Sequence, residues 1–257
     1  MKALFTAATG MTAQQHQIDT IANNLANVST NGFKKSRVAF EDLVYQSRRT
    51  GEMSNDTQRP AQLEVGSGVR VMATNRDYTA GNLTHTGNSL DVAIGGRGFF
   101  TVETPEGEER YTRNGVFNVN MDGELVNQAG LRVSPGIEIP SDALEVKVAE
   151  DGTVKAIYDV SRGEVTLGTL EIVDFGNTNG LRALGGNLYM ATPESGEPIT
   201  MDAEDGITLK QGFVEGSNVD VAEELVSMIV AQRSFELTSK VVEAADETMQ
   251  TVNNLKR

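Results

Sequence analysis

Residues Ile21 to Ser36 read IANNLANVSTNGFKKS. Asn23, Asn24, Asn27 and Asn31 crowd the point where an apolar helical pattern gives way to Asn31-Gly32, a pair suited to the left-handed turn that stops a helix. A single asparagine there would be a cap. A cluster specifies a surface, and the rest of the chain must say for what.

Leading into this stretch, Leu4, Met11, Ile18 and Leu25 recur every seven residues, with Ala8, Gln15, Ala22 and Val28 on intermediate positions. That is the period of a helix with a narrow apolar seam. Gly10 costs roughly 1 kcal/mol relative to Ala inside a helix, so it either interrupts the helix or lets a neighbour approach closely. Rich in Ala, Thr and Gln, such a helix is marginal alone in water and requires a partner. The other end of the chain supplies one. Val221, Met228, Phe235, Val242 and Met249 also repeat at seven, with Ala231, Ala245 and Val252 on adjoining positions. Asn218 and Asp220 are the capping candidates of this second helix, and Glu223 and Glu224 suit the positive end of its dipole. The simplest arrangement pairs the two helices.

Between them the period falls to two. In ALEVKVAEDGTVKAIY, Leu144, Val146 and Val148 alternate up to the turn Asp151-Gly152, and Val154, Ala156 and Tyr158 alternate back. GVFNVNMDGELVNQ repeats the device around Asp122-Gly123, and GRGFFTVE and VTLGTLEIVDF read as further strands. The fold class is therefore α+β: terminal helices forming a coiled-coil-like domain, and an all-β middle of short antiparallel strands. Expected boundaries are 1–32 for the first helix, 33–70 for an extended polar segment, 71–215 for the β domain and 216–257 for the last helix. The 33–70 segment fits neither period and is long for an unstructured connection.

Composition narrows the function. The formal net charge of −14 argues against nucleic acid, since phosphate contacts need clustered Lys and Arg. With no Cys there is no disulfide framework, thiolate metal site or cysteine nucleophile. No apolar run approaches the ~20 residues that span a bilayer, so no direct membrane insertion is expected. MKALFTAATGMTAQQ is too broken to read as a cleaved signal. His16 and His85 are too few for a histidine metal site, and NVNMDG lacks the distal Glu of a calcium loop, with Ala129 in its place. GGRG, Gly95 to Gly98, has no phosphate-loop Lys after it, and the pair Glu108-Glu109 is one of many in an acidic chain. No catalytic residue, cofactor or metal is expected.

ANNLANVSTNGFKK, Ala22 to Lys35, and EGSNVDVAEELVSMIVAQRSFELTSKVV, Glu215 to Val242, resemble the two end signatures of the bacterial flagellar axial proteins, the rod and hook subunits. Between them DVAIGGRGFF, YTRNGVFNVN and GGNLYMATPESGEP follow the β-domain pattern of the distal-rod branch, so the likeness spans the chain. A polar insert around Gln46 to Leu63 resembles the segment associated in that family with a straight rod instead of a bendable hook. The resemblance implies a structural subunit that self-assembles into a straight hollow tube in the periplasm-spanning basal body. Its partners would be copies of itself, proximal rod proteins, hook protein and surrounding ring proteins, after export without a cleaved signal.

In that picture Leu4, Met11, Ile18, Leu25, Val221, Met228, Phe235, Val242 and Met249 form the assembly seam. Asn23, Asn24, Leu25, Ala26, Asn27, Gly32, Phe33 and Lys34 carry the family signature. Asn23, Asn24 and Asn27 would offer amides to adjacent helices, fixing register as a buried polar residue does in a coiled coil. Asn31-Gly32 would make the turn. A proximal rod or hook subunit is the alternative within the family. From another class, a periplasmic binding module or peptidoglycan-directed hydrolase carrying oligomerising helices also fits.

Overall fold

The computed structural model describes residues 2–48, 63–158, 163–201 and 206–255. Helix α1 spans Lys2–Ala26 and helix α2 spans Val221–Leu255. Between them lie short strands; the pairing of Gln46–Arg48 with Leu63–Val65 and the pairings among the strands from Leu83 onward are antiparallel. The chain forms two compact units: Met1–Ala26, Ser36–Asn75 and Asp220–Arg257 make a helical unit, and Asn27–Lys35 with Arg76–Val219 make a β unit.

In the helical unit α1 runs through Gly10 without a break. Asp220 caps α2: its Oδ1 accepts the N–H groups of Ala222 at 2.8 Å and Glu223 at 3.2 Å. The helices pack antiparallel, with Asn24 beside Glu224 at one end and Gly10 beside Thr238 further along. The segment that fitted neither period carries strands here. Ser36–Asp42 pairs with Val69–Arg76, and Gln46–Arg48 with Leu63–Val65. Their exposed and half-buried positions do not alternate cleanly, which is why no period of two was visible. Apart from Gln46–Arg48 and Leu63, the insert around Gln46 to Leu63 lies outside the described residues.

The β unit is built on a nine-stranded sheet. Its central strand Phe99–Glu103 pairs along one edge with Glu109–Thr112, and its other edge is shared by Ile172–Asp174 and Arg132–Val133. Both predicted hairpins are present: Val148 faces Val154 across Asp151-Gly152, and Val119 faces Leu125 across Asp122-Gly123. In the second turn Asn120 Oδ1 accepts the N–H groups of Asp122 at 2.9 Å and Glu124 at 2.8 Å, so NVNMDG is a side-chain-capped turn. One core gathers Val92, Ile94, Phe100, Val102, Phe117, Val133, Ile137 and Val154, and a second gathers Phe99, Tyr111, Phe175 and Tyr189. Each such side chain contributes roughly 1.5–3 kcal/mol by leaving water, so the larger first cluster is the main source of cohesion.

Asn218, the other capping candidate, serves this unit instead. Its Oδ1 accepts the Lys35 N–H at 2.8 Å, and its amide donates to the Asp77 carbonyl at 2.8 Å, tying the chain after α1 to the chain before α2.

Candidate assembly surface

The helical signature splits between the two units at Ala26. In the helical unit, Asn24 is fully buried and clamps the start of the following strand. Its amide donates to the Ser36 carbonyl and its Oδ1 accepts the Ser36 N–H, both at 2.9 Å. The same amide reaches Glu224 Oε2 at 3.3 Å, so one side chain joins α1, the strand and α2. Asn23 and Ala26 are exposed, and Leu25 is half-buried.

In the β unit, the Asn27 side chain accepts the Thr30 hydroxyl at 3.2 Å, closing the turn locally. Gly32 adopts φ +70°, and a Cβ there would lie 2.8 Å from the backbone of Arg113 and Asn114. No other residue meets both conditions without strain. Phe33 is half-buried, and Lys34 is wholly buried.

Lys34 belongs to an ionic triad that periodicity could not reveal. Its Nζ lies 2.6 Å from Glu215 Oε1, and Arg113 Nε lies 2.5 Å from Glu215 Oε2. The Thr79 carbonyl accepts from Lys34 at 2.7 Å, the Gly81 N–H donates to Glu215 at 2.8 Å, and the Arg113 guanidinium also donates to the carbonyls of Gly96 and Gly98. Burial drives the Lys34 ammonium below its usual range, opposed by the Glu215 carboxylate. Burial alone would raise the Glu215 carboxyl; Arg113, Lys34 and the Gly81 N–H outweigh it and hold it below the usual range. Two cations flank one anion, so the extra positive charge rests on backbone carbonyls.

The predicted seam residues do not form the most buried line of the helix pair. Leu4, Met11, Ile18, Leu25, Met228, Phe235, Val242 and Met249 are each half-buried, and Val221 is exposed. Apart from Ile21, the fully buried positions among the described residues are small or polar: Ala7, Ala13 and Asn24 on α1, Glu224 and Ala231 on α2. The companion row expected at Ala8, Gln15 and Ala22 faces solvent. The large seam side chains flank the contact line and keep part of their surface uncovered.

A second apolar stripe on α2 escaped the sequence reading. Val226, Val230, Leu237, Val241, Val252 and Leu255 are all exposed. At 100° per residue they fall within an arc of about 80°, whose centre lies about 100° round the helix from Ala231 and about 140° from Phe235. The signal was present as i, i+4, i+11, i+15 spacing, but the heptad through Met228 and Phe235 absorbed the reading. Among the described residues no group of His, Cys, Asp and Glu is arranged to hold a metal, and no helix is long and apolar enough to cross a membrane.

Three family profiles match the chain, and all describe flagellar rod and hook proteins. Residues 4–34 match the family described as flagella basal body rod protein. Residues 93–156 match the flagellar hook protein FlgE/F/G D1 domain, and residues 210–255 match the flagellar basal body rod FlgEFG protein C-terminal family. Lys34, Arg113 and Glu215 fall one in each match, so the triad joins the three segments. Among curated relatives, the flagellar basal-body rod protein FlgG of Buchnera aphidicola subsp. Acyrthosiphon pisum is 46% identical, over 98% of this chain and 99% of the relative. The FlgG proteins of Borreliella burgdorferi, 44% identical over 100% of this chain and 99% of the relative, and of Agrobacterium fabrum, 43% identical over the whole of both, agree. The chain belongs to the flagellar basal-body rod protein family and is a structural subunit of the distal rod.

Proposed function

We propose that this distal-rod subunit polymerises through its helical unit into a straight hollow tube that transmits torque from motor to hook. The observation that carries the reading is the uncovered apolar stripe of α2: while α2 packs on α1, its Val226, Val230, Leu237 and Val241 stay exposed, Leu237 and Val241 bordering α1. An apolar stripe of this length is costly in water and is relieved when another copy covers it. Copies related by a rotation and a rise make head-to-tail contacts that do not close, which is the geometry of a tube.

In this reading the half-buried seam from Leu4 to Leu25 and from Met228 to Met249 completes coiled-coil-like packing within and between copies. Proximal rod proteins, hook protein and surrounding rings are the neighbours. The subunit reaches the rod through the flagellar export apparatus, and the insert around Gln46 to Leu63 stiffens the tube. Catalysis is no part of the role. The test replaces Val226 and Val230 together with Asp in the full chain. Because both are exposed, the fold should survive with an unchanged circular dichroism spectrum while motility and rod formation are lost. Normal rods in this variant would refute the reading.

A further inference from the structure

The helical unit contains an open groove of about 710 Å³ lined by Thr6, Ala7, Gly10, Val65, Leu237 and Val241. Its walls are almost wholly apolar, and Lys2 is the single charged side chain among the described residues that line it. Gly10 lies on it, in the middle of a continuous helix, where glycine is unfavourable. Nothing among the described residues requires that glycine. Among them, a Cβ at position 10 would meet only Thr238 Cγ2 at 3.6 Å, an ordinary contact, and the backbone has no left-handed angle there. Alanine would therefore fit the isolated chain and favour its helix. The missing methyl group points to an occupant from outside.

The last turns of α2 have the matching character. Asn24 lies beside Glu224 and Gly10 beside Thr238, so an equal rise along both helices carries the stretch after Asp246 past the described start of α1. From Thr248 to Leu255 this stretch has no charged residue, and it presents Val252 and Leu255, 55% and 82% exposed. The groove-lining half of α1, from Ala3 to Gln15, is equally free of charge. In a chain of net charge −14, uncharged faces are where two copies can approach without repulsion. The groove is also continuous with the exposed stripe of α2, since Leu237 and Val241 belong to both.

We infer that the groove beside Gly10 receives the last turns of α2, with Val252 and Leu255, from a second copy of the chain. The inference rests on the proposed polymerisation and names the contact within it. Gly10 is the notch that lets the incoming helix sit close, so Gly10→Ala acts with opposite signs: it favours the helical unit of the lone chain and hinders assembly.

The chain has no cysteine, so a disulfide between introduced cysteines reports one contact. Full-length Thr6→Cys is mixed with full-length Leu255→Cys under polymerising, mildly oxidising conditions. The control pair is Thr6→Cys with Met121→Cys, an exposed turn residue of the β unit. Cross-linked heterodimers should accumulate in the first mixture well above the control. Adding Gly10→Ala to the Thr6→Cys chain should lower their yield and raise the concentration needed for assembly roughly tenfold, while raising the melting temperature of the helical unit. Polymers that form with no excess of Thr6–Leu255 cross-links would overturn this contact and leave the rod reading standing. Wild-type chains that never associate would overturn both.

Discussion

Replacing Glu215 with Gln removes one negative charge and almost no volume from a site whose side chain is only 1% accessible. Lys34 Nζ at 2.6 Å and Arg113 Nε at 2.5 Å would then face a neutral amide, leaving two buried cations without their counter-ion. Breaking a buried pair by removing one partner costs about 3–5 kcal/mol, against about 5–15 kcal/mol for the stability of a whole domain. For a unit of this size each kcal/mol moves the melting temperature by about 2–4 °C, so the β unit should melt about 6–20 °C lower. Calorimetry with near-ultraviolet circular dichroism would follow it, because Tyr78, Tyr111 and Tyr189 lie in that unit. The comparison variant is Glu236→Gln, which breaks an ion pair with Arg233 whose side chains are 73% and 55% exposed, and whose loss should cost under about 1 kcal/mol. If Glu215→Gln shifts melting no more than Glu236→Gln, the triad does not hold the β unit and the reasoning fails.

The same carboxylate sets a pH dependence. Glu215 titrates below the usual range when folded, so the unfolded chain binds more protons and stability falls as pH drops through the ordinary carboxylate range. Acid titration of the melting temperature should show a shallower slope in Glu215→Gln than in wild type. Asn24→Ala removes both bonds to Ser36 and the contact with Glu224; at about 1 kcal/mol per bond the helical unit should lose about 2–3 kcal/mol, measurable by urea unfolding at 222 nm. Gly32→Ala forces a side chain onto the Arg113 backbone in a left-handed conformation, costing at least ~1–2 kcal/mol before the clash is counted; limited proteolysis should then cut within Asn27–Lys35.

Periodicity carried much of the architecture. The heptads through Met11 and Met228 located both helices, and Asp122-Gly123 and Asp151-Gly152 located two hairpins, because these signals are local and repeat every few residues. What escaped was long-range or aperiodic. Lys34 and Glu215 are 181 residues apart, and no local pattern marks a lysine that will be buried. The same holds for Asn218, which reads as a helix cap and instead bridges Lys35 and Asp77. The strands Ser36–Asp42 and Val69–Arg76 were missed because neither alternates cleanly between buried and exposed positions. On α2 a heptad seam and an exposed apolar stripe overlap in sequence, and only the structure separates the more buried residues from those left uncovered.

The most direct test of the account is negative-stain electron microscopy of the concentrated full-length protein beside the Val226→Asp, Val230→Asp double variant. Straight tubes from the wild-type chain, and only folded monomers from the variant, are the predicted result. Tubes from both, at the same protein concentration, would contradict the claim that the exposed face of α2 builds the rod.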